Sequence, residues 1–205
     1  MNQKFYALPE EKRQVIINAG FRVFSRNTYK KSPMQEIADC AGISKSLLFH
    51  YFQNKRELYL FLWNQAAELT MESLLRYGCY ESSDFFEMIE RGMQAKLNVM
   101  RVYPDMAAFA VKAFYEEAAE VSAEIQKSYQ RHFGLKAQNI LSRLNPEDFV
   151  PGLDLALMCR EMYLVSEGYL WEMLRQRNTL DTEALERDFS NLLQFWKHIY
   201  LARKE

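Results

Sequence analysis

The stretch Gln35 to Tyr51 reads QEIADCAGISKSLLFHY, and its polar residues are spaced for contact with a polyanion rather than for bond making. Lys45, Ser46 and His50 fall on the outward face of a short helix whose other positions are mostly apolar. A polar stripe on such a helix has to face water or a charged partner. Ser32 and Lys55 stand at the starts of two neighbouring predicted helices, where free N–H groups and the positive end of the helix dipole suit phosphate. Contacts of this second kind position a protein on a nucleic-acid backbone, whereas side chains on an inserted helix read base edges.

Those side chains need two short helices crossing steeply about a tight turn. Ala38 is small enough for the crossing point, and Gly42 tolerates the positive φ of the turn. Ile37, Ala41, Ile43, Leu48 and Tyr51 are spaced to bury the corner. The set is that of a helix-turn-helix, whose second helix enters the major groove of DNA. The competing interpretation is an ordinary helical hairpin without a ligand.

Around this motif the chain reads as helix throughout, and Gly (7) and Pro (5) are scarce. Pro9 opens a helix to about Ser25, ended by Asn27 in a left-handed conformation. Ser32-Pro33-Met34-Gln35 predicts a capping box at the start of the second helix, and Ser44 caps the third. Asn54-Lys55-Arg56-Glu57 is a further capping box and opens a long fourth helix to about Arg76. Five more helices are expected: Ser83 to Arg101, Pro104 to Ala113, Phe114 to Leu144, Pro151 to Arg177, and Asp181 to Arg203. The expected division is a DNA-binding domain over 1–54 and a helical ligand-binding and dimerisation domain over 55–205.

Charge agrees with this division. Met1 to Leu58 holds ten Lys/Arg against five Asp/Glu, a balance of +5; the remainder holds sixteen against twenty-two, a balance of −6. A basic head on an acidic body suggests a polyanion at the head only. Cys40, Cys79 and Cys159 lie far apart without a C-x-x-C pair, so neither a disulfide framework nor a zinc site is expected. There is no apolar run of membrane-span length and no signal-peptide core, so no membrane partner is expected and the chain reads as cytoplasmic. Enzymatic chemistry finds no support: no Gly-rich phosphate loop, no G-x-S-x-G and no H-E-x-x-H occurs. Glu116, Glu117 and Glu120 lack the E-x-x-H partner of a carboxylate metal site and read as a solvated helix face. No cofactor and no metal are expected.

Ala19 to Tyr59 resembles the head of the TetR (tetracycline-repressor-like) family. The resemblance rests on Ile37-Ala38, Ala41-Gly42-Ile43-Ser44-Lys45, Leu48-Phe49-His50-Tyr51-Phe52 and Asn54-Lys55-Arg56-Glu57-Leu58. It implies an all-α fold: a three-helix head, a long connecting fourth helix, and a body of five or six helices. It further implies a homodimer on a palindromic double-stranded DNA operator, often with a small-molecule inducer. DNA contact is carried over to Ser32, Ser44, Lys45, Ser46, His50, Tyr51 and Lys55. Where the family often has Gly, Thr and Tyr, this chain has Ser46, Leu47 and Phe49, which removes two hydroxyls that could bond phosphate. Tyr51 stands at a frequent His position; it either supplies a phosphate contact or closes the hydrophobic corner.

The expected function is therefore a sequence-specific transcriptional regulator, a repressor released from its operator by an apolar or amphipathic ligand. The alternative is a ligand-independent DNA-binding protein controlled by a protein partner. Phe86, Met93, Phe109, Tyr163, Glu167 and Trp171 are the candidate ligand wall; an internal salt bridge or a dimer face fits the Arg160–Trp171 stripe equally. Broad apolar faces on the last two helices are the expected dimer surface, with completion of the monomer core as the alternative.

Overall fold

The computed structural model describes residues 3–131, 140–177 and 180–202. Ten α-helices account for most of them, joined by one 3-10 turn over Pro146–Asp148. The only β pairing among the described residues is an isolated antiparallel bridge between Phe149 and Leu201. The all-α class expected from the scarcity of helix breakers is what the chain adopts.

The chain divides into two compact units: Met1–Leu69 with Val102–Gln130, and Thr70–Arg101 with Arg131–Glu205. In the first lie α1 (Gln3–Tyr6), α2 (Glu10–Arg26), α3 (Met34–Cys40), α4 (Lys45–Tyr51), the start of α5 (Lys55–Arg76), α7 (Met106–Phe114) and α8 (Ser122–Tyr129). Its core is aromatic. Phe21, Phe24, Tyr59 and Phe109 meet at ring-centroid distances between 4.7 and 6.2 Å. Gly20 lets α2 approach α5 closely, since a Cβ there would stand 2.5 Å from Leu62 Cδ1.

The second unit holds the end of α5, most of α6 (Phe85–Val102), α9 (Leu155–Arg177) and α10 (Thr182–Tyr200). Phe86, Phe149, Met158, Met162, Leu193 and Trp196 form its core cluster. Lys197 Nζ donates to Glu90 Oε1 at 2.7 Å and Tyr200 donates to Glu161 at 3.1 Å, tying α10 to α6 and α9.

Several expected boundaries shift. The N-terminal residues form α1, which the apolar periodicity did not announce. Asn27 ends α2 with an extended backbone (φ −127°) rather than a left-handed one, and its Nδ2 donates to the Val23 carbonyl. The single long helix expected over Phe114 to Leu144 is broken: α7 stops at Phe114 and α8 starts only at Ser122. The Glu116 carboxylate explains the break. It accepts from the backbone N–H of Tyr29 (2.8 Å) and of Ala118 (3.0 Å), so it folds the chain instead of lying on a solvated helix face. The stop expected at Asn178 falls outside the described residues, and α10 ends at Tyr200, with Leu201 extended, rather than near Arg203.

Candidate nucleic-acid interface

The turn between α3 and α4 is built from backbone bonds that only a left-handed residue permits. Ile43 N donates to Ala38 O (3.0 Å) and Gly42 N to Asp39 O (3.1 Å), the paired bonds of a Schellman motif. Gly42 has φ +65°, as the spacing required. Ser44 then caps α4, its Oγ accepting from Leu47 N at 3.1 Å. Ile37, Ala38 and Leu48 are completely buried at the corner, so the two helices cross on the expected small residue.

This packing fixes which side of α4 is free. Leu48, Tyr51 and the following Phe52 face inward, whereas Lys45, Ser46, Leu47, Phe49 and His50 are all exposed. Ser46 lies within hydrogen-bond distance of Ser44, Oγ to Oγ 3.0 Å. The predicted outward stripe of Lys45, Ser46 and His50 is thus on one exposed surface. Lys55 sits nearby at the start of α5, its Nζ 4.6 Å from the centre of the Tyr29 ring and donating to the Lys30 carbonyl at 3.2 Å. Asn54 caps α5 as expected, its Oδ1 accepting from Glu57 N (2.9 Å), whereas the Glu57 carboxylate accepts from Gln53 N (2.7 Å), one residue before the cap, rather than from the N–H of Asn54 that a full capping box would use.

Two sequence-predicted residues are placed differently. Ser32 is completely buried; its hydroxyl donates to the Thr28 carbonyl (2.9 Å) and its N–H to the Tyr29 carbonyl. Both groups a phosphate would use are satisfied internally, and the capping box predicted there does not form. Pro33 takes the N-cap position of α3, and Gln35 reaches forward to Asp39 instead. Tyr51 is 8 % exposed and packs edge-on against Phe5, so its ring closes the corner.

Sequence reasoning missed Phe5. It is 1 % exposed and lies 5.0 Å from Phe52 and 5.3 Å from Phe61 by ring centroids, backing the end of α4 and the start of α5. It also missed Arg56, which ties the start of α5 to the 115–124 segment: Nε donates to the Glu120 carbonyl (2.7 Å) and Nη2 to the Glu124 carboxylate (2.9 Å). Long-range partners of this kind leave no local pattern.

Of the candidate ligand wall, Phe109 falls in the first unit and Phe86, Met93, Tyr163, Glu167 and Trp171 in the second. Phe86 belongs to the core of the second unit and Phe109 to that of the first, each completely or almost completely buried by packing within its own unit. Met93 and Glu167 are half-buried, while Tyr163 and Trp171 are exposed on α9. Two clefts are bordered by other residues. One of about 210 Å³ borders the start of α6 and includes Asp84, Met88 and Arg143. Another of about 460 Å³ runs along the first turns of α5, from Gln53 to Glu68. Among the described residues no three His, Cys, Asp or Glu side chains are grouped to hold a metal, and no helix is long and apolar enough to cross a membrane.

Known proteins share both the head and the fold. Residues 16–61 match the model of the bacterial regulatory proteins of the tetR family. The chain is 30 % identical over 95 residues to the HTH-type transcriptional regulator RutR of Escherichia coli (strain K12), covering 45 % of this chain and 43 % of RutR. It is 42 % identical over 60 residues to the HTH-type transcriptional activator FasR of Mycolicibacterium smegmatis, covering 29 % of this chain and 27 % of FasR. It thus aligns with less than half the length of these curated relatives. A crystal structure of a TetR family transcriptional regulator from Chloroflexus aurantiacus superimposes with a TM-score of 0.63 at 21 % identity, over 98 % of this chain and 99 % of that one. The family model is thus matched across α3, Gly42 and α4, within residues 16–61, and the fold of the solved structure is shared over nearly the whole length.

Proposed function

We propose that this protein is a sequence-specific, DNA-binding transcriptional regulator that acts as a homodimer on a palindromic operator. The observation that carries this is the exposed outer face of α4, with Lys45, Ser46 and His50 displayed by a capped helix-turn-helix inside a head of charge +5. Base-edge reading falls to those three residues. Lys55 is the phosphate-positioning residue, held ready by the Lys30 carbonyl and the Tyr29 ring.

Selection of bound duplexes from a random pool tests the proposal. A palindrome with half-sites about 34–36 Å apart is expected. Recovery of unrelated sequences, bound only at low salt, would overturn it.

The finer reading is a repressor whose operator affinity is lowered by an apolar or amphipathic small molecule held in the body. The support is α5, which begins at the phosphate-positioning Lys55 and runs unbroken to Arg76. A ligand that favours the arrangement incompetent for DNA releases the operator, with a coupling of about 1–3 kcal/mol. Reciprocity then requires operator DNA to weaken ligand binding by the same factor. Calorimetry on a ligand found by thermal-shift screening, with and without operator, measures it; equal affinities would remove the inducer role and favour control by a protein partner.

A further inference from the structure

The outer surface of α4 carries two large apolar side chains that the described residues leave partly exposed. Leu47 is 36 % exposed and Phe49 39 %. On a helix of 3.6 residues per turn, Ser46 and His50 fall opposite the buried Leu48, and Leu47 and Phe49 lie on the two flanks of that polar line. Neither flank can donate or accept a hydrogen bond, so neither contributes a phosphate contact or a hydrogen bond to a base edge. Each keeps apolar surface in water in the free protein, and covering that surface is favourable.

The surroundings say what covers it. Lys30, Lys31 and Lys45 are exposed around the same motif, and the head as a whole carries +5. That charge complements a polyanion and not an apolar protein face. Within a polyanionic major groove the one apolar group is the C5-methyl of thymine. We propose that Leu47 and Phe49 determine specificity by packing on thymine methyl groups, one on each side of the bases facing Ser46 and His50. This rests on the DNA-binding reading above and adds to it the class of base at two flanking positions of each half-site.

The test uses the wild-type full chain and the duplex it selects. Each thymidine is replaced in turn by deoxyuridine, which removes the methyl and keeps every hydrogen-bonding edge. Two positions per half-site are expected to lose about fourfold in affinity each, the worth of one buried methyl. At a position that tolerates a G·C pair, 5-methylcytosine is expected to restore part of that loss over cytosine. The Leu47→Ser protein should become indifferent to deoxyuridine at one of the two positions and Phe49→Ala at the other; both residues are on the surface, and unchanged melting temperatures verify the folds. A well-defined selected site whose affinity is unchanged by deoxyuridine at every thymidine overturns the proposal and leaves the DNA-binding reading intact. Failure to select any site overturns that reading, and this proposal with it.

Discussion

On the reading proposed above, Lys55 and the α4 residues do different work because of what holds each of them. The Lys55 ammonium lies between the Lys30 carbonyl and the Tyr29 ring, and on that reading it meets a phosphate whatever the base sequence. Lys55→Ala is expected to weaken binding to the selected site and to unrelated duplex alike, and to reduce the slope of log affinity on log salt by about one. Ser46→Ala and His50→Ala should change the preferred bases, at about 1–3 kcal/mol for each good base contact. Titrations of matched and mismatched duplexes over a salt series separate the two classes; a changed site with an unchanged slope in Lys55→Ala would reverse the assignment. Ser44 has a third role. Its hydroxyl caps α4, so Ser44→Ala should cost about 1 kcal/mol of stability in denaturant unfolding. Residues of this kind were legible because turn and cap chemistry is local: Gly42 and Ser44 are where the spacing placed them. Ser32 was not, because the same serine can cap the next helix or bond back to the Thr28 carbonyl, and only the packed structure selects the second.

Elements were legible where apolar period and caps agreed, as in α2, α5 and α10, and less so where a distant group decides the ending. No Gly or Pro marks residues 115–121; the chain turns there because Glu116 has two backbone N–H groups to accept from, one on Tyr29 far away in sequence. The brief α1 was hidden for the same reason, since Phe5 buries itself only against Tyr51, Phe52 and Phe61. Phe5→Ala is therefore expected to cost about 3–5 kcal/mol and to loosen the end of α4, lowering operator affinity along with melting temperature. A variant that melts normally would show that α1 is dispensable. The α9–α10 pair offers a pH test. Tyr169 donates to Asp188 Oδ2 at 2.5 Å, and this bond, with the Arg187 guanidinium second, holds the Asp188 carboxyl below its usual range. Burial and then the same bond push the Tyr169 hydroxyl up to about 12. The lowered carboxyl favours the fold above the ordinary carboxylate range and loses that contribution as pH falls through its lowered value. The raised phenol favours the fold below 10 and loses its contribution as pH rises toward 12. Tyr169→Phe should bring the Asp188 titration back up toward the ordinary aspartate value, read by NMR of the side-chain carboxyl.

At the scale of the whole molecule, the operator specificity proposed above needs more than one α4. A single recognition helix spans only a few base pairs, so a regulator of this design gains discrimination by pairing two copies on two half-sites. The sequence showed broad apolar faces on the last two helices and left open whether the monomer core uses them up. The structure divides them. Met158, Met162, Leu193 and Trp196 go to the core, while Leu157, Leu164, Val165 and Trp171 on α9 and Phe195 and Ile199 on α10 stay exposed. Leu157, Leu164 and Trp171 are spaced by seven, the repeat that keeps one seam facing a partner helix along its whole length. At 62 % and 54 %, Leu157 and Leu164 are far more exposed than an isolated monomer would favour for two leucines on one seam. Leu164→Glu placed in this seam puts two carboxylates at a self-complementary contact, which a two-fold interface cannot relieve. The wild-type chain is expected to sediment as a dimer at micromolar concentration and Leu164→Glu as a monomer with an unchanged helical spectrum. The monomer should keep the salt-dependent affinity for unrelated duplex, since α4 and Lys55 are untouched, and lose preference for the two-half-site duplex over a single half-site. A Leu164→Glu protein that stays dimeric would move the interface to another face, and a monomeric wild type that still discriminates a full palindrome would remove the need for pairing.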